Sequence, residues 1–155
     1  MKTSHYRVVP LPTEVAEEAR RNALAGASDH AFVEVDSSTG YPCRHCLRWV
    51  RPGERVVLFP YASVSPGRPY SESGPIFVHE KACQRYPASG EYPEHFRNHR
   101  VLRAYDGDEN MIDAVVVPDD QPEPVIARLL QNPDTAFLQA RSVTRGCYTF
   151  RIERA

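Results

Sequence analysis

The 14 prolines and 8 glycines of this 155-residue chain are spread along its whole length. They limit how long any helix or strand can run, because proline removes a backbone donor and glycine weakens element interiors. What remains is a series of short apolar segments between turns. Tyr6–Val9 reads as a strand. Thr13 is placed to N-cap a helix over Glu14–Ala25, with Gly26 as its stop. Ala31–Val35 alternates as a strand. Arg51-Pro52-Gly53-Glu54 has the residues of a type II turn. Arg55–Tyr61 follows as a strand whose Pro60 marks an edge or the end of pairing. Ser63–Pro75 holds three Pro, two Gly and four Ser and reads as a loop. Ile76–His79 is a further strand, and Pro93–Arg100 a short helix opened by proline. Two hairpins are expected, Val101–Tyr105 with Met111–Val117, and Ala136–Ala140 with Cys147–Ile152. Gln121–Gln131 carries Val125, Ile126, Leu129 and Leu130 at helical spacing and stops at Asn132-Pro133.

The predicted fold is α+β: one mostly antiparallel sheet of about seven strands with about three helices, as a single domain over 1–155. A chain this long buries roughly 70% of its unfolded surface and can fold without staples. The order is not the alternating βαβ of a dinucleotide-binding fold, and neither GxGxxG nor GxxxxGK[ST] occurs.

Net charge is −1, which argues against general affinity for nucleic acid or an anionic membrane. No apolar run approaches the ~20 residues of a membrane-spanning helix. The N-terminus has Lys2 but no apolar stretch after it, so no secretory signal is read and a cytoplasmic location is expected. Of 19 basic residues 17 are Arg. Arg suits bidentate contacts to carboxylate or phosphate, although a GC-rich genome produces the same bias.

Four cysteines are too few for a disulfide scaffold, and in a reducing compartment they are thiols or metal ligands. Cys43-x2-Cys46 is followed by His79-x3-Cys83. Three thiolates and one imidazole form a common tetrahedral zinc shell, and the soft sulfurs favour zinc over magnesium or calcium. With the Arg51–Glu54 turn and the strand after it, the layout resembles a treble-clef-like or LIM-type zinc knuckle, except that the second ligand pair arrives later and with a wider spacing. Two other readings stay open, ordinary buried thiols and a redox CxxC. His95 and His99 fall at i, i+4 on the expected short helix and form a competing ligand pair. His45 is a further candidate, although within a CxxC this position usually points away. His79-Glu80-x-x-Cys83 lacks the second His of HExxH. Asp106-x-Asp108-x-Asn110 lacks the Gly and the final Glu of a calcium loop, where Met111 and Val117 stand.

Four stretches are similar to a bacterial family known as DUF1203, a domain of unknown function. They are Gly40-Tyr41-Pro42-Cys43-Arg44, Tyr70–Val78 (YSESGPIFV), Arg103-Ala104-Tyr105-Asp106, and Gly146-Cys147-Tyr148 with Arg151–Ala155. The resemblance covers nearly the whole chain. It implies a bacterial origin and a single domain, and it brings no activity or catalytic residue. Its pattern centres on the Pro-Cys-Arg and Gly-Cys elements, so Cys46, His79 and Cys83 need not belong to it.

Two functions are therefore carried forward. One is a zinc-binding domain, through Cys43, Cys46, His79 and Cys83, that binds an unidentified small molecule or protein. The other is an enzyme acting on a small anionic substrate, with a Cys43 or Cys147 thiolate and Arg44 or Arg145 as anion holders. Tyr70 and Ser73 are expected to line that second pocket.

Overall fold

The computed structural model describes residues 5–155, so Lys2 and the reading of the N-terminus lie outside the described residues. Ten strands form two five-stranded sheets where one sheet of about seven was expected. The first sheet joins the two ends of the chain. β1 (Tyr6–Val9) pairs antiparallel with β10 (Tyr148–Arg154), Tyr6 opposite Arg154 and Val9 opposite Arg151. β9 (Phe137–Ser142), β7 (Arg100–Tyr105) and β8 (Met111–Val116) complete the order β1-β10-β9-β7-β8. Both hairpins read from the sequence are present. At the Asp106–Asn110 tip, Asp106 Oδ1 accepts the backbone N–H groups of Asp108 and Asn110, which uses the carboxylate locally and explains the calcium-like spacing.

The second sheet has the order β2-β5-β6-β3-β4. Its members are β2 (Ala31–Glu34), β5 (Arg55–Val64), β6 (Glu72–His79), β3 (Pro42–Cys43) and β4 (Arg48–Trp49). All its pairs are antiparallel except β3 with β6. The expected Ser63–Pro75 loop shortens to the residues between Val64 and Glu72, because β5 and β6 continue pairing through it. Pro60 faces Pro75 in that ladder. Neither has a donor, so the ladder accepts both only as a non-hydrogen-bonded pair. On the other side of β5 the pairing with β2 does end before Pro60, at Leu58.

Each sheet has its own helix. α1 (Thr13–Leu24) lays Ala16, Ala19 and Ala23 against a core of Leu11, Val56, Val57, Phe59, Ile76 and Val78. Thr13 is the first helical residue rather than the cap, which is Pro12. Gly26 ends the helix at φ +78°, with its N–H on Ala23 O and the Ala27 N–H on Asn22 O, a Schellman pair. α2 (Pro122–Gln131) packs Val125, Ile126 and Leu129 on Leu102, Leu138, Ala140, Phe150 and Ile152. The third helix does not form. After Pro93 only a 3-10 turn over Glu94–Phe96 is present. His99 then turns to φ +53° and Arg100 enters β7 opposite Ser142, so the backbone is committed to the sheet before a second helical turn can close. Among the described residues no helix is long and apolar enough to cross a membrane.

Candidate metal centre

The Cys43–Cys46 pair sits on a tight hairpin. β3 and β4 pair Pro42 with Trp49 and Cys43 with Arg48, and the Leu47 N–H closes back on Cys43 O at 2.9 Å. Leu47 adopts φ +55°, which is costly for a non-glycine residue. Its side chain is fully buried in the first core, and that burial holds the turn in place. The parallel pairing of Cys43 with Phe77 brings the end of β6 alongside, and the His79 N–H points at Cys43 Sγ, 3.4 Å away. Beyond β6 the chain is irregular until the Glu94 turn. Tyr86 N–H to His45 O and the Arg85 guanidinium to the carbonyls of Pro10 and Leu11 tie this segment down. Cys83 is thereby carried back to the hairpin.

The result is a Cys3His cluster. The ligand atoms of Cys43, Cys46, His79 and Cys83 all lie within 4.8 Å of one another. Cys43 Sγ and Cys83 Sγ are 3.8 Å apart, and Cys46 Sγ is 3.5 Å from His79 Nδ1. A tetrahedral ion with arms of about 2.3 Å to sulfur and 2.05 Å to nitrogen has edges of about 3.8 Å and 3.6 Å. Both short contacts match those edges. All four cysteines of the chain are free thiols.

The surroundings favour a thiolate at Cys43. The Cys43 thiol is held far below the ordinary thiol range, first by its hydrogen bond with Cys46, then by that with Cys83. Cys46 is pushed up, chiefly by the same bond to Cys43. His79 is raised to about 10 by its contacts with Cys43 and then Cys83. Without an ion these shifts favour a thiolate at Cys43, with protons kept on Cys46 and His79. A divalent cation replaces those protons.

A second layer supports the four ligands. The Arg20 guanidinium from α1 donates to His79 O at 2.9 Å and reaches Cys83 Sγ at 3.6 Å. The Glu54 carboxylate lies 3.8 Å from His79 Nε2, behind the ring. His45, offered by the sequence as a further ligand, takes a supporting role that sequence reasoning did not foresee. It is buried inside the hairpin with Nδ1 at 3.1 Å from Cys83 Sγ and Nε2 at 2.9 Å from Thr13 Oγ1. Burial first of all lowers its pKa and keeps it neutral. With a thiolate at Cys83, Nδ1 carries the proton and donates to sulfur, and Nε2 accepts from the Thr13 hydroxyl. The Thr13 hydroxyl expected to cap α1 serves this imidazole. Replacing His45 by Phe removes a donor to sulfur while keeping the volume. The expected result is about 10–100-fold weaker metal binding, measured by competition with a chromophoric chelator. Unchanged affinity would show that His45 only fills space.

The remaining candidates separate into groups. His95 lies on the 3-10 turn and His99 beyond it, so they share no helical face; both lie outside the cluster and line a separate cleft. Arg44, Arg145 and Cys147 line that same cleft. Tyr70 and Ser73 are exposed and line neither this cleft nor the one beside the cluster, which corrects their expected place. Among the described residues the only hydrogen bond of the Cys147 thiol is a 3.7 Å contact to Arg145 O, so no base is set against it.

No curated protein and no solved structure matches the chain. One family model does, over residues 40–154, and it takes in the hairpin, both ligand pairs and all of the first sheet except β1. Described as a protein of unknown function, that family is DUF1203, and this chain belongs to it.

Proposed function

We propose that this chain is a small zinc protein in which Cys43, Cys46, His79 and Cys83 hold one structural ion, and that it acts by binding a ligand or partner in the cytoplasm. The observation that carries the reading is the agreement of the 3.8 Å sulfur–sulfur and 3.5 Å sulfur–nitrogen contacts with the edges of a zinc tetrahedron. Four protein ligands leave no open position, and a closed shell of this kind stabilises structure rather than catalysing a reaction. Three sulfurs select zinc over hard, oxygen-loving cations. The ion would also draw irregular chain onto the hairpin, which supports the treble-clef-like comparison.

Elemental analysis of protein purified with zinc in the medium should give about one zinc per chain. Cobalt exchanged into the site should show the thiolate charge-transfer and ligand-field bands of a tetrahedral centre. Zinc should be released on acidification, because protons compete for sulfur and imidazole. Metal-free protein that also fails to develop the cobalt spectrum would refute the assignment. Reversible cycling between a Cys43–Cys46 disulfide and the dithiol would then favour the redox reading.

A further inference from the structure

On the side of the hairpin away from the ligand cluster, a cleft of about 950 Å³ opens between the two sheets. Its apolar wall is Trp49, Leu58 and Phe77 from the second sheet. Arg44, Arg100 and Arg145 supply the charge. The chain has 20 acidic residues for 19 basic ones, yet none of the residues lining this cleft is Asp or Glu.

The arginines are also short of partners. Arg7, Arg55, Arg97 and Arg141 each reach a glutamate. Arg44 is only 3% exposed, and its guanidinium donates to two neutral carbonyls, Tyr148 O and Pro42 O, both at 2.8 Å. Arg100 is 5% exposed, donates to His99 O and lies over the Phe96 ring, while its Nε has no acceptor. Arg145 stands exposed at the rim, and its guanidinium makes no hydrogen bond among the described residues. Burying a cation without a counter-charge is expensive. An anion in the cleft would relieve that cost.

We propose that this cleft is a binding site for a small organic oxyanion. The carboxylate or phosphate head would sit among Arg44, Arg100 and Arg145, and its apolar body would lie against Trp49 and Phe77. Arginine forks match the planar edge of a carboxylate and two oxygens of a phosphate. The aromatic wall explains why the site selects an organic anion over a bare one. The proposal does not depend on the identity of the metal, since none of the four ligands lines this cleft.

Trp49 is the only tryptophan of the chain and lines this cleft and the one beside the ligand cluster, so its fluorescence reports binding and the Arg145 variant assigns it to this cleft. The full-length protein, with zinc content determined on the same sample, is titrated with phenyl phosphate, benzoate and inorganic phosphate. We expect saturable binding of at least one aromatic anion below about 10 mM, tighter than that of inorganic phosphate. The tighter of the two aromatic probes identifies the head group. Arg145→Gln is exposed and should leave the fold intact while weakening binding about fivefold or more. Arg44→Gln should weaken it further. Arg128→Gln, on the exposed face of α2, should leave it unchanged. Absence of saturation overturns the proposal. So does inorganic phosphate binding as tightly as the aromatic probes, or an affinity unmoved in Arg145→Gln. Saturable binding to zinc-free protein would sink the metal assignment alone.

Discussion

Cys43→Ser is expected to empty the metal site and to lower the thermal unfolding midpoint by roughly 10 °C. A serine hydroxyl stays protonated at neutral pH and does not replace a thiolate in a zinc shell. A bound ion would join the hairpin to a cysteine forty positions further along the sequence. A covalent link across a loop of that size restrains the unfolded chain by about 4 kcal/mol. At about 2–4 °C per kcal/mol for a protein of this length, that becomes the stated shift. Cys43 is also fully buried in the second core, so the substitution carries a packing cost of its own. Stripping zinc from the unaltered protein with a chelator separates the two contributions. If the chelated protein unfolds at the temperature of the untreated one, the ion does not hold the fold together.

The second large effect concerns the other sheet. Phe150→Ala should cost about 3–5 kcal/mol, and the zinc content should stay unchanged under native conditions. Phe150 is completely buried on β10, edge-on to Tyr92 with ring centroids 5.3 Å apart, in the core that α2 covers. None of the four ligands belongs to the first core, which holds that ring pair. Denaturant unfolding measures the loss, and metal analysis of the folded variant tests the independence. A loss below about 1 kcal/mol would contradict the packing described for the first sheet.

The sequence revealed local chemistry far better than partnership. Most strands lie where alternation and turn residues placed them, because those signals act over a few residues. That Tyr6–Val9 would pair with the last strand was not legible, since nothing local links Tyr6 to Arg154. The division into two sheets rests on pairings of this kind. Ser63–Pro75 misled for a related reason. Ser65, Pro66, Pro69 and Ser71 do form the loop, but β5 and β6 take in both ends of the segment, and Pro60 and Pro75 offend no ladder bond when they face each other. Pro93 opened a helical turn as expected, and the demand of β7 for Arg100 ended it.

The Cys3His set was readable because each ligand pair is local: a two-residue hairpin spacing, and a strand end followed by four residues of chain. The supporting role of His45 was not readable. Its role depends on Thr13, on a helix thirty-two positions earlier, and no spacing rule connects a helix start to the middle of a CxxC. The arginine cleft was half visible. Arg44 and Arg145 were candidates from their neighbours in sequence, whereas Arg100 looked like an ordinary basic residue at the end of a helix. Only the fold shows that these three arginines share a cleft with no acid among its lining residues.

Neighbouring residues of the short hairpin face opposite ways, Cys43 toward the ligand cluster and Arg44 into the cleft between the sheets. One peptide unit therefore belongs to both places. Whatever immobilises the hairpin from one side spares the other side part of the cost of ordering it. Were a metal ion and an anion to occupy the two sides, thermodynamic reciprocity would have each raise the other's affinity by the same factor. A chain organised in this way would work as a conditional receptor, its grip on a small anion graded by how firmly the opposite side of the same turn is held.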